Sequence, residues 1–87
     1  MLSKADLSEF LIEALRANGG SATIATICKY VWQRHKSALK NSEDLFYTWQ
    51  YDIRWAATNL RKAGVMKSVK SSKPGKWELA QTSLASN

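Results

Sequence analysis

Cysteine, proline and histidine each occur once, as Cys28, Pro74 and His35. A single thiol excludes an internal disulfide and any zinc site built from several cysteines. It gives no sign of an oxidising compartment, so a reducing cytoplasm is the expected location. A lone histidine at the edge of an apolar stripe reads as structural. Cys28, inside such a stripe, reads as a small buried hydrophobe. No glycine-rich phosphate loop is present. Catalysis is therefore not expected, and neither a cofactor nor a metal is assigned. Long apolar runs are also missing. None approaches the roughly 20 residues of a membrane span, and Asp6, Glu9 and Glu13 interrupt the first twenty residues where a signal peptide would be uniformly apolar.

Acids are scarce as well: seven Asp and Glu stand against thirteen Lys and Arg, giving a net charge of +6 and a pI near 9.7. The imbalance is local. Residues 53–76 hold seven of the positive charges and no acid. A solvated surface usually mixes signs, so this stretch points to a polyanionic partner: nucleic acid, an acidic membrane face or an acidic protein.

What is present suits one small α+β domain over 1–80, with a polar tail at 81–87 expected to fray. Helix 1 is expected over 4–17, capped by Ser3, with Leu7, Phe10, Leu11, Ala14 and Leu15 on one stripe. Asn18-Gly19-Gly20 ends it. Ser21-Ala22 is read as a very short strand. Helix 2 is expected over 24–36, capped by Thr23 or Ser21, with Ile24, Ile27, Cys28 and Val31 on one face. The polar run 37–43 is read as a loop. Helix 3 is expected over 44–63, with Trp49, Ile53, Ala56, Leu60 and Ala63 on its stripe and Phe46 and Ala57 widening it. Gly64 follows as its stop. Val65 to Val69 is a strand candidate. Lys73-Pro74-Gly75 is a turn, since proline fixes φ at its second position and glycine accepts positive φ at its third. The alternation of "KWELA" then returns the chain, with Trp77 and Leu79 on one face. A hairpin alone is marginal in water and must lay its apolar face on the helices.

The segments "GGSATIATI", "WQYDIRWAATNLRKAGV" and "GKWELA", spread over about 7–80, resemble the N-terminal domain of Mrr-type restriction endonucleases. That resemblance implies a winged helix-turn-helix fold, with helix 3 as recognition helix and 70–76 as wing. It implies double-stranded DNA as partner, bound by a transcriptional regulator or a DNA-targeting subunit associated with the nucleoid. It does not imply the nuclease, which in that family occupies a separate C-terminal domain. "WELA" has no lysine two residues after Glu78, as the nuclease motif would need.

The residues themselves support the same surface. Gln50, Tyr51, Arg54, Thr58 and Arg61 lie off the core stripe of helix 3. Arginine can bond guanine bidentately, glutamine adenine, and threonine and tyrosine mainly phosphate. Lys70, Lys73 and Lys76 surround the turn and are expected on phosphates or an adjacent groove. Trp55 lies across helix 3 from Trp49, Ile53 and Leu60. It is expected to pack under the hairpin near Met66 or Trp77, the competing reading being a dimer contact. The alternative function is a protein-interaction or homodimerising winged helix that does not bind DNA.

Overall fold

Ser3 and Asp6 start the first helix: the Ser3 amide donates to Asp6 Oδ2 at 2.8 Å in a capping box. In the computed structural model, which describes residues 2–80, this helix is α1, Lys4–Ala17. It ends as its glycines require. Gly19 and Gly20 take φ of 77° and 95°, and the Gly20 amide reaches back to the Leu15 carbonyl at 2.7 Å. The chain then forms β1, Ser21–Ala22. Thr23 caps the next helix, its Oγ1 accepting from the Thr26 amide.

That helix, α2, runs Ile24–Lys40, beyond its expected end at 36. His35 departs from helical geometry, at φ −123° and ψ 21°, and bends it. The polar run 37–43 is thus not a loop throughout. It hides Leu39, which is fully buried, so one apolar side chain draws the last turn onto the core. Ser42 closes the end, its Oγ donating to the Leu39 carbonyl at 2.6 Å. Only three residues, 41–43, join α2 to α3, Asp44–Lys62.

The three helices share one core. Leu7, Leu11 and Leu15 of α1, Ile27, Val31 and Leu39 of α2, and Ile53 of α3 are fully buried. α1 packs chiefly against α3. Trp32 and Trp49 stack at 6.3 Å where α2 meets α3. Ala63, expected on the stripe, lies exposed at the end of α3. Asp52, not expected inside, is buried on α3, accepting from Thr48 Oγ1 at 2.7 Å with Lys4 Nζ 3.8 Å away.

The sheet joins distant parts of the chain. β2, Trp77–Glu78, pairs antiparallel with β1, in the register Ser21↔Glu78 and Ala22↔Trp77. On the other edge of the returning strand there is one bridge, Met66↔Leu79, with the Lys67 amide donating to the Glu78 carbonyl. The expected strand 65–69 is therefore curtailed. Ser68 accepts from the amides of Ser71 and Ser72, and Ser72 Oγ donates to the Ser68 carbonyl, curling the chain into turns. The Pro74-Gly75 turn forms as its residues require. The Lys76 amide donates to the Lys73 carbonyl at 3.0 Å, and Gly75 has φ of 74°.

One expectation for a tryptophan is overturned. Trp55 does not pack under the hairpin; it is 54% exposed and borders Lys4, Ala5 and Ser8 of α1. The hairpin lies along the adjacent Arg54–Thr58–Arg61 side of α3, and the tryptophan it brings there is Trp77. Trp77 packs beside Arg61, whose guanidinium carbon lies 5.5 Å from its ring centre. Trp77 and Leu79 do share a face, since Leu79 is in the core and half-buried Trp77 packs against it; Glu78 between them is buried as well. No helix among the described residues is long and apolar enough to cross a membrane. The expected tail, 81–87, lies outside the described residues.

Candidate nucleic-acid interface

At about 100° per residue, Tyr47, Gln50, Tyr51, Arg54, Thr58 and Arg61 fall within about 100° of arc on α3. The opposite arc carries Trp49, Ile53, Ala56, Ala57 and Leu60, all buried. Core packing thus fixes which way the polar arc looks. The hairpin turn rises beside the C-terminal half of this arc and encloses a cleft of about 400 Å³ with it. Arg54, Thr58 and Arg61 form one wall, Lys73, Gly75 and Lys76 the other, and Ile24 at the start of α2 also lines it.

No acid lines the cleft. None of Arg54, Arg61, Lys73 and Lys76 has a salt-bridge partner among the described residues. Arg61 Nε is buried and has no hydrogen-bond partner. The guanidinium is oriented by Trp77, whose ring face attracts a cation. Four cations with unspent donors face one another across a space that suits a multidentate anion.

Glu78, the acid nearest this charge, is turned to a structural task. Its Oε2 accepts from the Lys73 amide at 2.7 Å, and its Oε1 lies 3.3 Å from Lys67 Nζ. The Lys73 amide first, and the Lys67 ammonium after it, hold this carboxyl below the ordinary glutamate range. One oxygen meets the Lys73 amide and the other the Lys67 ammonium, so the Lys73 and Lys76 side chains remain for the cleft.

The expected contacts divide. Arg54, Thr58, Arg61, Lys73 and Lys76 meet at the cleft. Gln50 is exposed one turn earlier on α3, outside the cleft lining, and Tyr51 is 68% exposed on the flank of the helix. Lys70 is exposed but does not line the cleft; the serine-built turn carries it away. Thr58 has already committed its hydroxyl hydrogen, donating to the Arg54 carbonyl at 3.2 Å. A phosphate only accepts, so Thr58 must break that bond to serve one.

Sequence reasoning passed over Tyr47 and misplaced Trp55. Tyr47 is 82% exposed, and Trp55 shares a shallow hollow of about 330 Å³ with Tyr51, Arg54 and Thr58. The signal was the four-residue spacing of Tyr47, Tyr51 and Trp55, a ridge along one helix flank. The role of Trp77 as a rest for Arg61 has no comparable local signal.

Two other reactive groups have structural surroundings. His35 Nε2 lies 2.9 Å from Glu13 Oε1, and its ring stacks on Phe10 at 3.7 Å. Tyr30 donates to the same carboxylate at 3.0 Å, and Arg34 adds its charge at 3.5 Å. The His35 bond is the main cause that holds Glu13 below the ordinary range. This cluster ties the bend of α2 to α1. Burial pushes the Cys28 thiol up, against the opposing pull of Arg54, which keeps it protonated near neutrality. Among the described residues no group of His, Cys, Asp and Glu could hold a metal ion.

No protein-family model matches the chain, and neither a curated protein nor a solved structure matches it.

Proposed function

We propose that this chain binds double-stranded DNA as a winged helix-turn-helix module, with α3 in the major groove and 70–76 as the wing. The carrying observation is the cleft in which Arg54 and Arg61 face Lys73 and Lys76 with no acid between them. A duplex backbone supplies phosphates at regular spacing, and each neutralised phosphate releases a condensed counterion. Arg54, at the exposed middle of α3, is the residue for a guanine edge, with Gln50 beside it for adenine. Arg61, Lys73 and Lys76 are the phosphate contacts. The three-residue connection at 41–43 suits a helix-turn-helix, in which the second helix enters the groove. A regulator, or a subunit that brings a larger assembly to DNA, would use such a surface.

The test is a titration on random-sequence duplex at several salt concentrations. Log affinity is expected to fall with log salt by about 0.9 per phosphate neutralised, hence by roughly 3 to 4 if all four cleft cations engage. A flat response, or no binding at low salt, would overturn the reading. The exposed row of Tyr47, Tyr51 and Trp55 supports a second reading, a protein-interaction or dimerising module. A stable oligomer that does not bind duplex would favour it.

A further inference from the structure

The exposed aromatic ridge on α3 presents ring faces that an intact duplex does not engage. Tyr47, Tyr51 and Trp55 are 82%, 68% and 54% exposed. Single exposed aromatics are ordinary. Three at four-residue spacing on one helix flank form a patch. In a stacked duplex the faces of the bases are covered by their neighbours, so only edges and phosphates are offered. An indole, with one donor, reads such edges poorly. Its strength is its face, and a base stripped of its stacking neighbour is the ligand that offers a matching one.

Resting on the duplex-binding reading above, the geometry points to a second ligand element: an unpaired base, stacked in the hollow beside Tyr51 and Trp55, next to the bound duplex. Three observations support this occupant. Arg54 and Thr58 line both the basic cleft and this hollow, so a strand that leaves the cleft meets the aromatic rings next. Successive residues of the ridge rise about 6 Å along the helix axis, near twice the roughly 3.4 Å spacing of stacked bases, a rise compatible with a base between neighbours. The charge near the hollow is also complementary to a strand's phosphates. Arg54 lies on one side and Lys4 beyond Trp55 on the other. Asp52, the neighbouring acid, is buried and bonded to Thr48; it also lies 3.8 Å from the largely exposed Lys4 ammonium, so Lys4 is a weaker contributor than Arg54. The substrate class is therefore a duplex with a single-stranded extension or a locally opened pair.

The experiment compares three labelled probes by fluorescence anisotropy at one salt concentration. These are a blunt duplex, the same duplex with a short thymine overhang, and the same duplex with an overhang of abasic sites. The abasic probe carries the same added phosphates without the bases. The thymine overhang is expected to bind about fivefold or more tighter than the abasic one, the lower end of what one stacked base contributes. Trp55→Ala is expected to abolish that margin while blunt-duplex affinity stays within about twofold, and Trp55→Phe to keep most of it. Because Trp55 is more than half exposed, unchanged melting of the variant is the check on its fold. Equal binding of thymine and abasic overhangs, with the duplex still bound, would overturn this inference and leave the duplex reading standing. A margin that survives Trp55→Ala would also overturn it, as would a dimer that dissociates in that variant with the margin intact. Failure to bind any probe would overturn both.

Discussion

The helical body and the hairpin are held by different physics. In the body, seven large apolar side chains, from Leu7 to Ile53, are fully buried. In the hairpin, among the described residues 65–80, only Met66, Glu78 and Leu79 are buried, and Val69 is 72% exposed. The hairpin keeps its place through a short ladder, the Pro74-Gly75 turn and the Glu78 carboxylate. The difference assigns tasks. Burial of apolar surface stabilises the body whatever charge lies outside. The hairpin adds little core, and is where Lys67, Lys70, Lys73 and Lys76 gather. Stability and polyanion binding should therefore be separable by mutation, and each of the following changes tests that separation.

The largest effect is expected in the body. Leu11→Ala removes a fully buried side chain and should cost about 2–5 kcal/mol of folding free energy. That is a large share of what a small domain has. Denaturant unfolding measures it, and duplex affinity of the fraction still folded should be unchanged. Weaker binding by that fraction would mean that body and surface are coupled.

Next, Lys73→Glu with Lys76→Glu should leave the unfolding midpoint nearly unchanged and flatten the log-affinity against log-salt slope by about 0.9 for each phosphate no longer neutralised. An unaltered slope would remove the hairpin from the interface. Arg54→Ala should cost about 1–3 kcal/mol on a preferred site and less on random duplex. Equal losses on both would make Arg54 a phosphate contact. Its melting temperature should match that of the parent, since the side chain projects from the exposed arc of α3.

The smallest effect is expected from Glu78→Gln, which keeps the shape and removes the charge. Hydrogen exchange should quicken at the Lys73 and Lys67 amides and stay slow in α1 and α3. Acid should act similarly. Glu78 and Glu13 are both held below the ordinary glutamate range. Each therefore stabilises the fold fully above that range, and its contribution disappears as pH falls through the folded-state value. Exchange at a pH of about 3, below the ordinary glutamate range, should show the hairpin and the α1–α2 joint loosening before the leucine core. Simultaneous loosening everywhere would show that the carboxylates hold no separate region.

Signals that act over a few residues were legible in the sequence. α1 has its bounds because Ser3, Asp6 and the two glycines act within a turn of where they stand. The Pro74-Gly75 turn is local in the same way. The end of α2 was not legible, because Leu39 is one apolar residue in a polar run and only its burial against other helices extends the helix. The strand before the turn was overestimated. Val65, Met66 and Val69 suggested alternation, but the Ser68 carbonyl takes the Ser71 and Ser72 amides in place of a ladder. The site divided similarly. Helical spacing identified the exposed arc of α3 and hence Arg54. It identified Trp55 as off the core stripe, yet could not say which neighbour lay on that side. The meeting of Arg61 with Trp77 depends on how the sheet carries the returning strand past α3.

That returning strand has a consequence for the order of assembly. β1 lies in the first third of the chain, and its partner, β2, near the end of the described residues. The helices meet through contacts of shorter range, and closing the longest loop is entropically the slowest step to be rewarded. The basic cleft needs that closure, because Lys73 and Lys76 face α3 only once residues 77–79 are seated between β1 and Met66. A newborn or partly refolded chain thus holds an apolar core before it holds the basic cleft. Stopped-flow refolding should show duplex competence arriving after helical signal, at a rate shared with protection of the Leu79 amide.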